Sequence, residues 1–504
     1  MLYKLPASRL RILKIALPVA ALLSIVFISQ VAVSASSVWI LGFACLLIVA
    51  VCMTQSRSNI LASSTNGFYL TITIWWFLLV SEVAFVRSNT LEDLLDGQYA
   101  VTAYGDVAIW ILSLLILMSQ ILAKPAALRA FLRSQAGRYI LVFAAIALIS
   151  SFYSPDKVYS LAWSFKLCLI AVLVLLLHFE VRSFQHIKMF ILATLTAYIV
   201  ITLTPLLQLG FDPDSLFKAF RLGGRFAPTG VSAAGAIVFL LSLVHYATSR
   251  RKQIWLVAAI GLLMAMLGGG KAAIAALTLA GLAFFILQGK VGASLGLLGL
   301  IAVVGGLTLL ASPVAQYAQM YQDNEYVTSL TGRTHLWQVA IPAILEQPLL
   351  GHGYVSSKFV YFTVDNVWWK AGHLHNSVLD VLYNNGVIGL LPIIAMIGIT
   401  ARNLLKVKRQ SGNQLIIATA TGMLSLLIFL LANGMFTTYF GGRPHNGFMI
   451  FLALVALSEK LRGMTSVQKS ANAAAALEQH EVKVVTVPQA QTLAAQPDNA
   501  LPWA

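Results

Sequence analysis

Apolar runs recur along the whole chain, at 12–32, 36–54, 68–86, 107–123, 139–152, 160–179, 189–209, 227–247, 253–269, 271–288, 291–311, 386–401, 414–432 and 445–458. A helix needs ~20 apolar residues to cross the hydrocarbon core, and somewhat fewer where protein covers its ends. The runs are continuous, whereas the strands of a transmembrane barrel alternate apolar and polar residues. Backbone amides in hydrocarbon must then be satisfied within helices. The pattern predicts an all-α polytopic membrane protein with about 14 transmembrane helices. The short pair 253–269 and 271–288 reads either as two spans or as one broken, re-entrant element.

Most connections between these runs are short. The stretch 312–385 is the exception, and its Trp, Tyr and His content argues for order. Within it, Leu336, Trp337, Ala340, Ile341, Ile344 and Leu345 recur at helical spacing. They predict an amphipathic helix on the outer membrane face or over the bundle, kinked by Pro342 and followed by Pro348. Residues 461–504 turn to Ala, Gln, Val and Thr with scattered charge. That composition predicts a mostly disordered tail with a short helix near Ala473–Gln479. Three regions follow: N-terminal helices over 1–210, a membrane region over 211–460 that carries the loop, and the tail over 461–504.

Composition fits this picture. Of 504 residues 59% are hydrophobic and 10% charged, with a mean hydropathy of +0.82. A net charge of +16 would suit nucleic acid, but the distribution of the basic residues points elsewhere. With the N-terminus in the cytoplasm, alternate loops hold Arg57; Lys124, Arg129, Arg133 and Arg138; Arg182 and Lys188; Arg250, Arg251 and Lys252; Lys290; and Arg402, Lys406, Lys408 and Arg409. That is the positive-inside pattern, so the basic excess orients the chain and meets anionic lipid. Both termini are expected inside, with the 312–385 loop on the periplasmic face. Cys45, Cys52 and Cys168 fall within spans, which argues against disulfides and a cysteine metal site. Val33-Ser34-Ala35 vaguely resembles a cleavage site, but the first run reads better as a retained helix.

Polar groups concentrate in HLHNSVLDVLYNNG, residues 373–386. As a helix it would align Asn376, Asp380 and Asn384 in a polar stripe. His375 would stand at the start, and Asn384-Asn385-Gly386 reads as a helix stop. Other candidates share the outer face: Arg221 and Arg225 in RLGGRFAPTG, Lys271 in GGGK, Arg333 in GRTHLW, and Arg443 and His445 in GGRPHN. Guanidinium groups match phosphate oxygens in a bidentate fork, and a histidine exchanges protons near neutral pH. Each residue also has a plainer role open to it. Arg221 and Arg225 would anchor a helix end at headgroups. Lys271 would snorkel. Lys166 would snorkel or pair. His335, His352 and His445 would bond within loops, and Trp368 and Trp369 would sit at the interface. His373 with His375 is a weak metal signal without a carboxylate partner.

PLLGHGY followed by HNSVLDVLYNNGVIGLL resembles the signature of the O-antigen ligase and O-antigen polymerase superfamily, which includes exopolysaccharide polymerases. GRTHLW and RLGGRFAPTG are similar to its two arginine elements. The resemblance implies a GT-C-like helical bundle with its catalytic part in 211–460. It implies transfer of a glycan from undecaprenyl diphosphate, on the periplasmic face of the inner membrane, without metal, cofactor or nucleotide sugar. The acceptor would be lipid A core for a ligase or another lipid-linked repeat unit for a polymerase. His375 matches the family's histidine, Arg333 its loop arginine, and Arg225, or else Arg221, the arginine before a span. Two departures stand: GGGK replaces a serine-rich element, leaving Lys271 as its equivalent, and Thr229 rather than Asn follows Pro228. Membrane lipids and the lipid-linked glycan are the expected partners, with no nucleic acid.

By this resemblance His375 takes the acceptor proton, while Arg333, Arg225 and Lys271 hold the diphosphate and inversion follows. Nearby cations would keep His375 neutral. Competing functions are a transporter or flippase of lipid-linked sugars and a non-catalytic scaffold. A transporter usually places ionisable groups near mid-membrane, whereas the candidates here sit near span ends.

Overall fold

The computed structural model describes residues 64–84, 101–207, 217–218, 221–222, 227–310, 332–363 and 372–485. The first two expected spans, 12–32 and 36–54, lie outside the described residues, as do Arg225, Trp368 and Trp369. The remaining twelve all fall on helices. In chain order the helices are α1 (Ser64–Ala84), α2 (Val101–Ala123), α3 (Pro125–Arg133), α4 (Gln135–Ser150), α5 (Lys157–Glu180), α6 (Phe184–Leu207), α7 (Pro228–Ser249), α8 (Ile254–Leu267) and α9 (Lys271–Leu287). They continue with α10 (Val291–Leu310), α11 (Arg333–Glu346), α12 (Ser377–Gln410), α13 (Gln414–Gly434) and α14 (Asn446–Val485). A two-residue ladder pairs Phe217–Lys218 with Arg221–Leu222, and a 3-10 helix covers Ser356–Thr363.

Among the described residues the protein is helical apart from that short ladder, and it is a multi-pass membrane protein. Among the described residues α5, α6, α7, α12 and α13 are long and apolar enough to cross a membrane, and the bent pair α2–α3 adds a sixth. Shorter apolar stretches lie in α1, α4, α8, α9 and α10, over Gly67–Ser81, Gln135–Ser150, Ile254–Leu267, Lys271–Leu287 and Val291–Val303. At ~1.5 Å per residue such helices fall short of a ~30 Å core unless neighbours cover their ends. Two expectations are corrected. The Lys124–Arg138 loop is itself helical, because α3 turns 92° from α2 with Pro125 at its first turn. The tail is helical through Val485, because Ala-rich polar sequence continues a helix that the apolar core has already nucleated.

The separate expectation for 253–269 and 271–288 resolves into two helices. The broad contact between α7 and α8 rests on small residues. A Cβ on Gly235 would come within 2.6 Å of the Ala265 nitrogen, so only glycine lets the two backbones approach. Ser232 then donates a 2.6 Å hydrogen bond to the Ala265 carbonyl.

Side-chain bonds define the two ends of the bundle. At one end Lys124 pairs with buried Glu180 at 2.5 Å, and Glu459 accepts from the Ala136 amide at 2.9 Å, at the start of α4. A carboxylate there complements the helix dipole. Arg402 donates to Gln135 at 2.6 Å at this same end, and Arg129, Arg133 and Arg138 are exposed nearby in sequence. At the other end Asn385 of α12 donates to Ser150 of α4 at 2.7 Å, and Asn446 of α14 donates to Leu79 of α1 at 2.9 Å. The candidate residues gather at this second end.

Candidate active site

The site is built around a break in α12. Gly386 has φ 61° and ψ −164°, so the helix stops at the expected Asn384-Asn385-Gly386 and a second helical segment resumes across a kink. A break exposes backbone groups that hydrocarbon cannot satisfy. The PLLGHGY segment supplies the partners. His352 and Gly353 amides donate to the Tyr383 and Asn384 carbonyls at 2.8 and 2.9 Å, and the Val387 amide donates to the Pro348 carbonyl at 2.8 Å. The two motifs are thus one structural unit: one breaks the helix and the other fills the break.

The polar stripe serves this unit. Asn376 caps α12, accepting from the Val378 and Leu379 amides at 2.9 and 3.1 Å. Asp380 is fully buried and accepts from the Leu374 amide at 3.0 Å and from Thr438 Oγ1. Asn384 accepts from the Ser357 amide at 2.8 Å and donates to the Gly441 carbonyl at 2.9 Å. These side chains therefore pin three loops to one helix: 353–357, 372–376 and 437–442.

His375 sits in the middle of this clamp. Its backbone is left-handed, with φ 53°, a conformation a non-glycine residue holds only when its surroundings fix it. Asn376 and Asp380 fix one side, and Trp337 of α11 fixes the other by donating to the Leu374 carbonyl at 2.9 Å. The His373 ring lies tilted beside it, with centroids 4.0 Å apart and planes at 51°, and His373 Nδ1 accepts from the His375 amide at 3.1 Å. Burial, then the Arg333 charge, pushes His375 down to about 3, while a hydrogen bond to the Phe436 carbonyl acts the other way. The cations expected to lower it therefore come second to desolvation. Burial, the neighbouring His375, Arg443, His445 and Arg333 hold His373 well below its usual value. Both rings are neutral at pH 7. A neutral imidazole carries one N–H and one lone-pair nitrogen, so His375 keeps one nitrogen able to accept a proton.

Arg333 opens α11 directly after Gly332, at φ 81°, and acts on both histidines. The stripe on this helix divides. Leu336, Ala340 and Ile344 are buried, while Ile341 and Leu345 are exposed. His445 and His352 are loop hydrogen-bonders: His445 Nε2 meets the Thr438 carbonyl, and His352 Nε2 meets the Ala343 carbonyl at 2.8 Å. Lys166 is 4% exposed and stands over the Trp110 and Trp163 rings, which excludes snorkelling. Among the described residues no three His, Cys, Asp or Glu side chains converge as metal ligands would.

Arg221 and Lys271 belong to a second group, around the start of α7. Leu222, next to Arg221, is buried with Val231 of α7 and Met264 of α8. Lys271 is exposed at the start of α9, after Gly270, which packs on Ser232 of α7.

Residues 226–394 match the family model described as O-Antigen ligase. That stretch runs from the start of α7 through α11 and past the break in α12. The match covers about a third of the chain, and it is in this stretch that the GRTHLW, PLLGHGY and HNSVLDVLYNNGVIGLL motifs similar to the O-antigen ligase and polymerase superfamily lie. The chain is also similar to the exopolysaccharide production protein ExoQ of Rhizobium meliloti (strain 1021), 35% identical over 82 residues. That alignment covers 15% of this chain and 19% of the relative.

Sequence reasoning missed Lys358, Asp156, Tyr159 and Trp163 as parts of this end, and gave Tyr354 no role of its own. Tyr354 is fully buried and donates to the Gly442 carbonyl at 3.1 Å. Its signal was available in the sequence, as the last residue of PLLGHGY.

Proposed function

We propose that the protein is a membrane glycosyltransferase that moves a glycan from undecaprenyl diphosphate to an acceptor sugar at the periplasmic face. The observation that carries this is His375, fixed in a left-handed turn with one ring nitrogen bonded to the Phe436 carbonyl and Arg333 acting on the ring. The acceptor hydroxyl gives its proton to the lone-pair nitrogen of His375. Its oxygen bonds to the anomeric carbon as the sugar–phosphate bond breaks, and undecaprenyl diphosphate leaves with the electron pair. Attack opposite the leaving group inverts the anomeric centre, with no metal required. General base action of this kind is worth roughly 10²–10⁴-fold.

Arg333, Arg225, Arg221 and Lys271 are assigned to the diphosphate, where each preorganised donor contributes about 3 kcal/mol. A bound diphosphate offsets the Arg333 charge at His375, so the base strengthens only when donor is present. Asn376 and Asp380 position the turn, and His445 holds the adjoining loop. The basic residues at the opposite end support a cytoplasmic placement for that end and for both termini. The name of the relative favours a polymerase of exopolysaccharide repeats over a ligase to lipid A core.

The test is glycan transfer by the full chain in nanodiscs, with an undecaprenyl-diphosphate oligosaccharide as donor. His375→Ala is expected to lower the rate roughly 10²–10⁴-fold. Full activity in that variant would remove His375 as the base.

A further inference from the structure

A second cationic cluster flanks the His373–His375 turn and has no part in the proposed transfer step. Lys358, in the 3-10 helix, pairs with Asp156 at 3.0 Å, and its ammonium lies 3.2 Å from the centroid of the Tyr159 ring. The Arg443 guanidinium lies 5.6 Å from the centroids of both Tyr159 and Trp163. Lys166 adjoins the same aromatic bed, 5.1 Å from Trp163 and 4.9 Å from Trp110. Three cations from separate segments, more than 270 residues apart along the chain at the extremes, therefore share one set of rings with Asp156.

Like charges gathered away from water repel one another. Cation–π contacts of about 0.5–2 kcal/mol each offset part of that cost. Burial lowers the Lys358 pKa and Arg443 adds to the effect, against the pull of Asp156. Lys358 and Arg443 are half-buried, whereas Tyr159, Trp163 and Lys166 are buried. The open edge of the cluster thus carries two cations and the Asp156 carboxylate, with net positive charge, over an aromatic floor. Gly372 of the turn packs against the Arg443 guanidinium. Arg443 also acts on the charge state of His373, which places the cluster next to the candidate base.

We propose that Arg443 and Lys358 form an anion-binding subsite that takes the carboxylate of an acidic sugar in the acceptor glycan. A planar carboxylate matches the guanidinium fork, and the neighbouring ammonium supplies a third donor. The diphosphate already has its own cations in Arg333 and the α7–α9 group. The place of the acceptor rests on the proposed transfer reaction; the charge preference rests on the cluster alone.

The experiment uses the full chain in nanodiscs and saturation-transfer NMR with three probes: glucuronosyl-glucose, cellobiose and inorganic pyrophosphate. Wild type is expected to bind glucuronosyl-glucose about tenfold better than cellobiose, the worth of one charged hydrogen-bonded contact. Arg443→Gln should abolish that preference, Lys358→Met should reduce it and Arg443→Lys should restore part of it. Thermal unfolding of each variant checks that it is folded. His375→Ala should keep the preference, so loss of the catalytic reading and loss of this one give different results. Equal binding of both sugars, no binding of either, or a preference unchanged in Arg443→Gln would overturn the proposal. Displacement of the uronate by pyrophosphate, with both lost in Arg443→Gln, would also overturn it by assigning the cluster to the donor.

Discussion

Asn384→Ala is the sharpest probe of the clamp. The Asn384 side chain is fully buried. It accepts from the Ser357 amide at 2.8 Å and from Ser356 Oγ at 3.2 Å. It donates to the Gly441 carbonyl at 2.9 Å and to Ser357 Oγ at 3.3 Å. Alanine leaves the Ser357 amide and the Gly441 carbonyl without this partner, and a buried unsatisfied group costs about 1–3 kcal/mol. The two hydroxyl contacts add little, because Ser356 also donates to the Gly353 carbonyl at 2.6 Å. The expected loss is about 2–6 kcal/mol. The assay is reversible unfolding of the purified chain in mixed micelles, with transfer activity measured in parallel. Because Asn384 ties both Lys358's segment and Arg443's turn to α12, transfer should fall even in the folded fraction. A variant within about 0.5 kcal/mol of wild type, the range of an ordinary surface substitution, would refute the clamp.

Other outcomes follow from the same geometry. Gly353 has φ 102°, and a Cβ there would meet Ser154 Cα at 2.5 Å; Gly353→Ala should destabilise by at least about 2 kcal/mol, read by the same unfolding assay. His373 and His375 are both held below their ordinary value. As pH falls from 6.5 toward about 3, the unfolded chain takes up protons that folded His375 refuses, so stability declines in that window and is flat above it. Each histidine contributes at most about 1.4 kcal/mol per pH unit. His375→Gln should flatten the acid limb of an unfolding series run from pH 8 to 4, and an unchanged limb would contradict the buried, neutral placement.

Much of the helical fold was legible because a membrane span announces itself by continuous apolarity. The twelve expected spans that fall on described residues all coincide with helices for this reason. What apolarity does not encode is direction and continuation. The turn of α3 away from α2 depends on Pro125 and on Phe131 and Ala127 finding buried places, and the extension of α14 depends on a nucleus built upstream. The polar stripe of Asn376, Asp380 and Asn384 was legible from four-residue spacing alone. Its partners were not, because Leu374, Ser357, Thr438 and Gly441 come from separate loops. Gly386 shows the same limit. Locally it reads as a stop, and the helix does break there, but the docking of residues 348–353 into the break is not encoded nearby. The Lys358–Arg443–Lys166 cluster had no local signature, since its members lie in three distant segments.

The most direct test of the central claim is the size distribution of undecaprenyl-linked glycan in a strain lacking this protein, complemented with wild type or with His375→Ala. A polymerase predicts single repeat units in the deletion and in His375→Ala, and long chains with wild type. Long lipid-linked chains that never reach an acceptor would assign the ligase reaction instead. A profile unchanged by the deletion would contradict glycan transfer by this protein.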